Sequence, residues 1–135
     1  MSYAVSAALQ AAIYQRLMQD EAMAALVQGH VYDALPQGAL PALYVTLGAE
    51  VARDASDATG AGAWHDLSVA VISDAAGFQR AKEVAAAVSD ALLGPLPDLG
   101  RGRLVSLRFL KARARREGGG LRRVEMIFRA RTEDA

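Results

Sequence analysis

Trp64-His65-Asp66-Leu67-Ser68-Val69-Ala70-Val71-Ile72-Ser73 runs directly into Asp74-Ala75-Ala76-Gly77-Phe78-Gln79-Arg80-Ala81-Lys82-Glu83-Val84-Ala85, and this junction decides the fold class. In the first segment Leu67, Val69 and Val71 fall on one face and Asp66, Ser68, Ala70 and Ile72 on the other. A period of two predicts a strand. In the second segment and its continuation, Phe78, Ala81, Val84, Ala85, Val88 and Leu92 recur at helical spacing. Asp74 is placed to cap that helix, and Gly94-Pro95 ends it.

Downstream, Pro95, Pro97, Gly100 and Gly102 make a turn-rich connector. Val105, Leu107 and Phe109 then alternate with Ser106, Arg108 and Leu110, and Val124, Met126 and Phe128 alternate with Glu125, Ile127 and Arg129, which predicts a hairpin. Its turn, Arg115-Arg116-Glu117-Gly118-Gly119-Gly120, is too long for a two-residue connection. Strands of this kind extend about 30 Å, so the basic tip is expected to project beyond the body as a contact device.

Upstream, Val5, Leu9, Ile13 and Leu17, widened by Ala8 and Ala12, form one helical stripe that Ser2 can cap. Asp20 offers a second cap before Met23, Leu26 and Val27, and Gly29 ends that short helix. Leu43-Tyr44-Val45-Thr46-Leu47 reads as a strand continuing through Glu50, Val51 and Arg53, with Gly48 at a bulge. Residues 54–63 contain no bulky apolar side chain and are expected to be mobile unless a partner orders them. The order α-α-β-β-α-β-β predicts an α+β fold: a small, mostly antiparallel sheet, helices on one face and a long C-terminal hairpin, in a single domain over residues 1–135.

Composition removes several chemistries. The chain has no cysteine, so disulfides, thiolate metal sites and cysteine nucleophiles are excluded. Neither Lys82 nor Lys111 ends a phosphate-binding loop, and the glycine pairs Gly60/Gly62 and Gly100/Gly102 lack the setting of a dinucleotide fingerprint. His30 and His65, the two histidines, have no metal-binding spacing and read as exposed or core-edge residues. His65, Asp66 and Ser68 hold the residue types of a hydrolytic triad, but adjacent strand residues point to opposite faces. Asp54 and Asp57 lack the glycine and glutamate of a calcium loop, since Thr59 stands at the sixth position. Trp64 is expected in the core. No catalytic, cofactor or metal residues are therefore expected, nor an enzyme. No stretch approaches the roughly 20 apolar residues of a membrane span, and the N-terminus lacks a secretory pattern, which predicts a protein that is cytoplasmic when made.

Charge is divided along the chain. Residues 1–100 carry 4 basic and 11 acidic side chains (4 − 11 = −7), and residues 101–135 carry 11 basic and 4 acidic ones (11 − 4 = +7). Such a chain can stack head to tail on copies of itself, or turn a positive face to nucleic acid; an arginine-rich solvated surface is the plain alternative. Arg113, Arg115, Arg116, Arg122 and Arg123 are the candidate interface or lumen residues.

In this order of elements, Val31-Tyr32-Asp33-Ala34-Leu35-Pro36 and Pro41-Ala42-Leu43-Tyr44-Val45-Thr46-Leu47-Gly48 resemble the tail-completion or tail-terminator family of siphophages, prophages and gene transfer agents. Further matches are the Ala/Gly loop before the strand at Leu67, Gly77-Phe78 opening the helix with Val84-Ala85-Val88, the Ala91-Leu92-Leu93 helix end, and Arg129-Ala130-Arg131-Thr132-Glu133. The resemblance covers about residues 5–133; Ala42-Leu43 between Pro41 and Tyr44 departs from it, as does the glycine-rich hairpin turn. It implies a subunit of a ring, typically hexameric, on the head-proximal end of the tail tube. That ring would stop tube growth and present a docking surface to the head connector, and no catalytic residue comes with the family. The abundance of alanine and arginine points to the gene transfer agent subtype. Three rivals compete with this reading: another head-tail connector component, a nucleic-acid-binding module built on the basic hairpin, with salt-dependent affinity as a monomer, and a small enzyme or ligand-binding domain.

Overall fold

The structure, a computed structural model, describes residues 3–58 and 60–134. Ser2, expected to cap the first helix, and Thr59 lie outside the described residues. The elements are helices α1 (Val5–Gln19) and α2 (Glu21–Val27), strands β1 (Val31–Tyr32), β2 (Leu43–Asp54) and β3 (Gly62–Ser73), helix α3 (Gln79–Leu93), and strands β4 (Arg103–Arg116) and β5 (Arg122–Glu133). They form one sheet in the order β1-β2-β3-β5-β4 under a helical layer. β1 runs parallel to β2 and every other pairing is antiparallel, so the sheet is mixed. The parallel strand is two residues long, too short to leave a period in the sequence.

Alternation places the core. Val45, Val69, Val71, Val124, Met126 and Phe128 point from the sheet toward Leu9, Ile13, Leu17, Met23, Val84, Val88 and Leu92 of the helices. These faces are the ones that the periods of two and 3.6 mark out. Asp20 caps α2 as expected, accepting from the Met23 amide at 3.0 Å. Gln28 and Gly29 both take positive φ at the end of that helix. The bulge falls where Gly48 predicts it, between Leu47 and Glu50, and a Cβ on Gly48 would stand 3.1 Å from Ser68 Oγ.

Five expectations are corrected. Asp74 does not cap α3: its amide donates to the Ala42 carbonyl, Ser73 Oγ accepts from the Ala75 amide, and four further residues carry the chain up to the helical layer before Gln79. The described residues of 54–63 carry polar contacts of their own. Asp54 Oδ1 accepts from Ser56 Oγ at 2.7 Å, Asp57 and Gly60 bridge, and Arg131 donates to the Ala55 carbonyl at 2.9 Å. Trp64 lies on the helix-free face of the sheet with the Arg131 guanidinium 5.1 Å from its ring centroid, because β3 turns even-numbered residues away from the helices. In β4 the alternation breaks at Val105 and Leu110, which have no partner in the ladder, so the helix-side residues become Leu104, Leu107, Phe109, Ala112 and Ala114. Finally, the hairpin overhangs little. Arg122 pairs with Ser73 at the end of β3, and Arg115 and Arg116 pair with Arg123 and Arg122 inside the ladder, leaving residues 117–121 as the turn.

The connector entering β4 is fixed by Gly102. Its φ is +65°, and a Cβ there would come within 2.5 Å of the Glu133 carbonyl and 2.9 Å of a Val5 methyl. Only glycine meets both demands.

Candidate assembly surface

β4 pairs with β5 from Arg103 to Arg116, yet none of its residues is buried. It is a 14-residue strand at the border of the sheet, its outer backbone edge open, with six basic side chains and no acidic one. A groove of about 440 Å³ lies between it and α3, lined by Lys82, Ala85, Phe109, Ala112, Ala114 and Met126 among others. Phe109 is 44% exposed there, a large apolar residue left in water where a packed strand would hide it.

The five candidate arginines split between two faces. Arg116 and Arg122 lie on the helix side, where Arg122 donates to the Ala76 carbonyl at 2.7 Å and its guanidinium sits 5.6 Å from the Phe78 ring centroid. Arg113, Arg115 and Arg123 lie on the helix-free face. There Glu117 pairs with Arg115 at 3.2 Å, and Arg123 stands between Glu117 and Glu125. The helix-free face is thus a lattice of paired charges around a small apolar patch of Tyr44, Ala70 and Ile72.

In that lattice Asp66 and Arg129 form a two-point contact, Nε to Oδ1 at 2.8 Å and Nη2 to Oδ2 at 3.1 Å. The Arg129 hydrogen bonds hold the Asp66 carboxyl below the usual aspartate range, and Ser68, with Arg123, does the same for Glu125. A lowered folded pKa means that the folded chain binds fewer protons than the unfolded one between the two values. The contribution is complete above the unfolded pKa of about 4 and is lost as pH falls through the lowered one. Asp66→Asn should cost about 0.5–1 kcal/mol at pH 7, the scale of a partly exposed pair, and nothing at pH 2. Urea midpoints of both proteins from pH 7 to pH 2 check this; a gap that persists at pH 2 removes the pair as its cause.

Residues 11–133 match the tail completion protein gp17 family. This chain belongs to that family. The tail-completion chain also superposes on a solved chain from the virion of a native gene transfer agent (GTA) particle, with a TM-score of 0.89 and 57% sequence identity, covering 98% of this chain and 99% of that one. No curated protein matches the sequence.

Among the described residues of this chain lies a buried polar cluster that the sequence does not announce. His65 is fully buried, with Nδ1 3.2 Å from Glu50 Oε2 and Nε2 3.0 Å from Thr132 Oγ1. Glu50 also accepts from Tyr3 Oη at 2.7 Å and from Ser6 Oγ at 2.8 Å. The cluster ties the start of α1 to β2, β3 and β5. Its single sequence signal is a carboxylate at an inward strand position. His65 and Asp66 point to opposite faces, as expected, and His30 stacks on Tyr32 at 6.2 Å. Among the described residues no three His, Cys, Asp or Glu side chains gather closely enough to hold a metal ion. Among the described residues no helix is long and apolar enough to cross a membrane.

Proposed function

We propose that this chain is a structural tail-terminator subunit of a gene-transfer-agent particle. Copies of it form a ring, hexameric by the family's pattern, on the head-proximal end of the tail. The ring ends polymerisation of the tail tube protein and joins the tail to the head connector or stopper protein. The subunit is made in the bacterial cytoplasm, works without bond-breaking chemistry and finishes in the particle. The observation that carries this reading is the end-to-end match, at 57% identity, with a chain of a gene transfer agent virion. Over so complete a match the two chains share their element order and their border strands, which are the surfaces that an assembling subunit uses.

Arg113, Arg115, Arg116, Arg122 and Arg123 serve the assembly, at a subunit joint or on the lumen wall. A run of six basic and no acidic side chains along β4 also favours contact with packaged DNA, through phosphates rather than bases. Removing the polypeptide from a producing cell tests the main reading: tails of uncontrolled length and unjoined heads are expected, and particles with correctly measured tails on filled heads would sink it. Arg115→Glu combined with Arg116→Glu should lower particle yield at least tenfold while leaving the thermal unfolding curve of the purified protein in place, because both side chains are exposed. Normal yield would take the hairpin end out of the assembly surface. Strong, salt-dependent DNA binding by the free monomer would favour the nucleic-acid module instead.

A further inference from the structure

The two borders of the sheet are complementary in charge and matched in height. At one border stands β4, with six cations and no anion. At the other stand α2, β1 and the first part of β2: between Arg16 and Arg53 the chain has no lysine or arginine, and it carries Glu21 and Asp33 there, with Asp20 paired to Arg16 and Glu50 turned inward to His65. Both borders show apolar side chains to water. The groove between α3 and β4 exposes Phe109, and the irregular segment 33–42 next to β1 exposes Leu35 (49%) and Leu40 (41%).

Height is set by the register. Val31, Val45, Val71, Val124 and Ala114 form one row across all five strands, and Tyr32, Thr46, Ala70, Glu125 and Arg113 form the next. β1 and the groove-lining end of β4 therefore sit at the same level on opposite borders. Segment 33–42 leaves β1 beside this row and rejoins the sheet at Leu43, whose partner is Ser73. A rotation about an axis parallel to the strands, with no translation along it, brings the segment of one copy against the groove of the next. That is the operation which closes a ring instead of a helix.

We infer that the joint between neighbouring copies seats segment 33–42 of one copy in the α3–β4 groove of the next, with Leu35 and Leu40 against Phe109 and Ala112. Asp33 of the first copy then faces Lys82, the cation that lines the groove. The occupant is a second copy of this chain because one polypeptide presents both halves at matching height. Opposite charge on the two halves speeds and orients encounter, while like borders repel, which disfavours a two-fold dimer. The inference rests on the ring reading proposed above.

The chain has no cysteine, so links between its own copies form only through the introduced thiols. Leu35→Cys with Ala112→Cys, both at exposed positions, is expected to give a non-reducing ladder of linked subunits that ends at the ring size when purified particles are oxidised. Leu35→Cys with Arg103→Cys, a pair at different heights, should give none. A ladder from the second pair alone, or no linkage in particles whose rings are visible by electron microscopy, overturns the pairing and leaves the ring standing. Particles in which the chain forms no ring remove the ring reading and the pairing with it. If the paired variant does not assemble, the Leu35→Cys variant alone decides. Its thiol should react with maleimide in the free chain and at least tenfold more slowly in intact particles, and equal rates overturn the proposal.

Discussion

Phe128→Ala is expected to lower the unfolding free energy by about 3–5 kcal/mol, the largest single loss in the molecule. Phe128 is 1% exposed and is the largest of the fully buried side chains. It sits at the centre of β5, flanked in register by Leu67 and Phe109, and its ring meets that of Phe109 edge-on at 5.8 Å. Truncation leaves a cavity under α3 that small neighbours such as Ala85 and Ala130 cannot fill. Domains of this size are stable by about 5–15 kcal/mol, so the variant would be partly unfolded at 37 °C and recovered poorly. Phe109→Ala is the control: with nearly half its surface in water it should cost about 1 kcal/mol or less, although it removes the aromatic wall of the groove. Urea denaturation of both variants checks the contrast. Equal losses would mean that the β4–α3 gap is closed in solution.

Glu50→Ala is the second large effect, at about 2–4 kcal/mol. Its carboxylate is the shared acceptor for Tyr3, Ser6 and His65, and the His65 ring is wholly out of water. Losing the acceptor strands a buried ring nitrogen and the Ser6 hydroxyl, and each stranded group costs about 1–3 kcal/mol. Glu50→Gln keeps an acceptor oxygen and should cost roughly half as much. Hydrogen exchange gives the distinguishing readout: amides in the first turns of α1 should lose protection in the alanine variant while those of β3 keep theirs. A midpoint within 0.5 kcal/mol of the parent protein, with α1 protection unchanged, would show that packing alone holds the helix.

The sequence was most legible where burial is one-sided and continuous. β3 and β5 each keep one face against the helices for twelve residues, and their alternation reads directly as strand and as core. The stripe of α3 does the same for the helix. Legibility fails where tertiary contacts override local chemistry. Asp74 looks like a cap, but its amide is taken by Ala42 across the sheet. Val105 and Leu110 look like strand residues in phase, but bulges at these two positions shift the phase of the residues beyond them while Leu107 and Phe109 keep theirs, and no local signal marks a bulge without glycine. Of the candidate arginines, the sequence locates them at one end of a hairpin. It does not reveal that Arg122 is occupied by Ala76 and Phe78, or that Glu117 and Glu125 neutralise part of the cluster. The buried His65–Glu50 contact spans β2 and β3 across a bulge, so spacing along the chain could not reveal it.

The position of β5 has a consequence for how the molecule comes into being. β4 precedes β5 in the chain but touches the sheet only through it, in the order β3-β5-β4. The basic strand therefore joins the sheet only once β5 has paired beside β3, a closure over some fifty residues. Folding with such distant partners is slow compared with hairpin formation. The basic border is consequently completed only after β5 is in place.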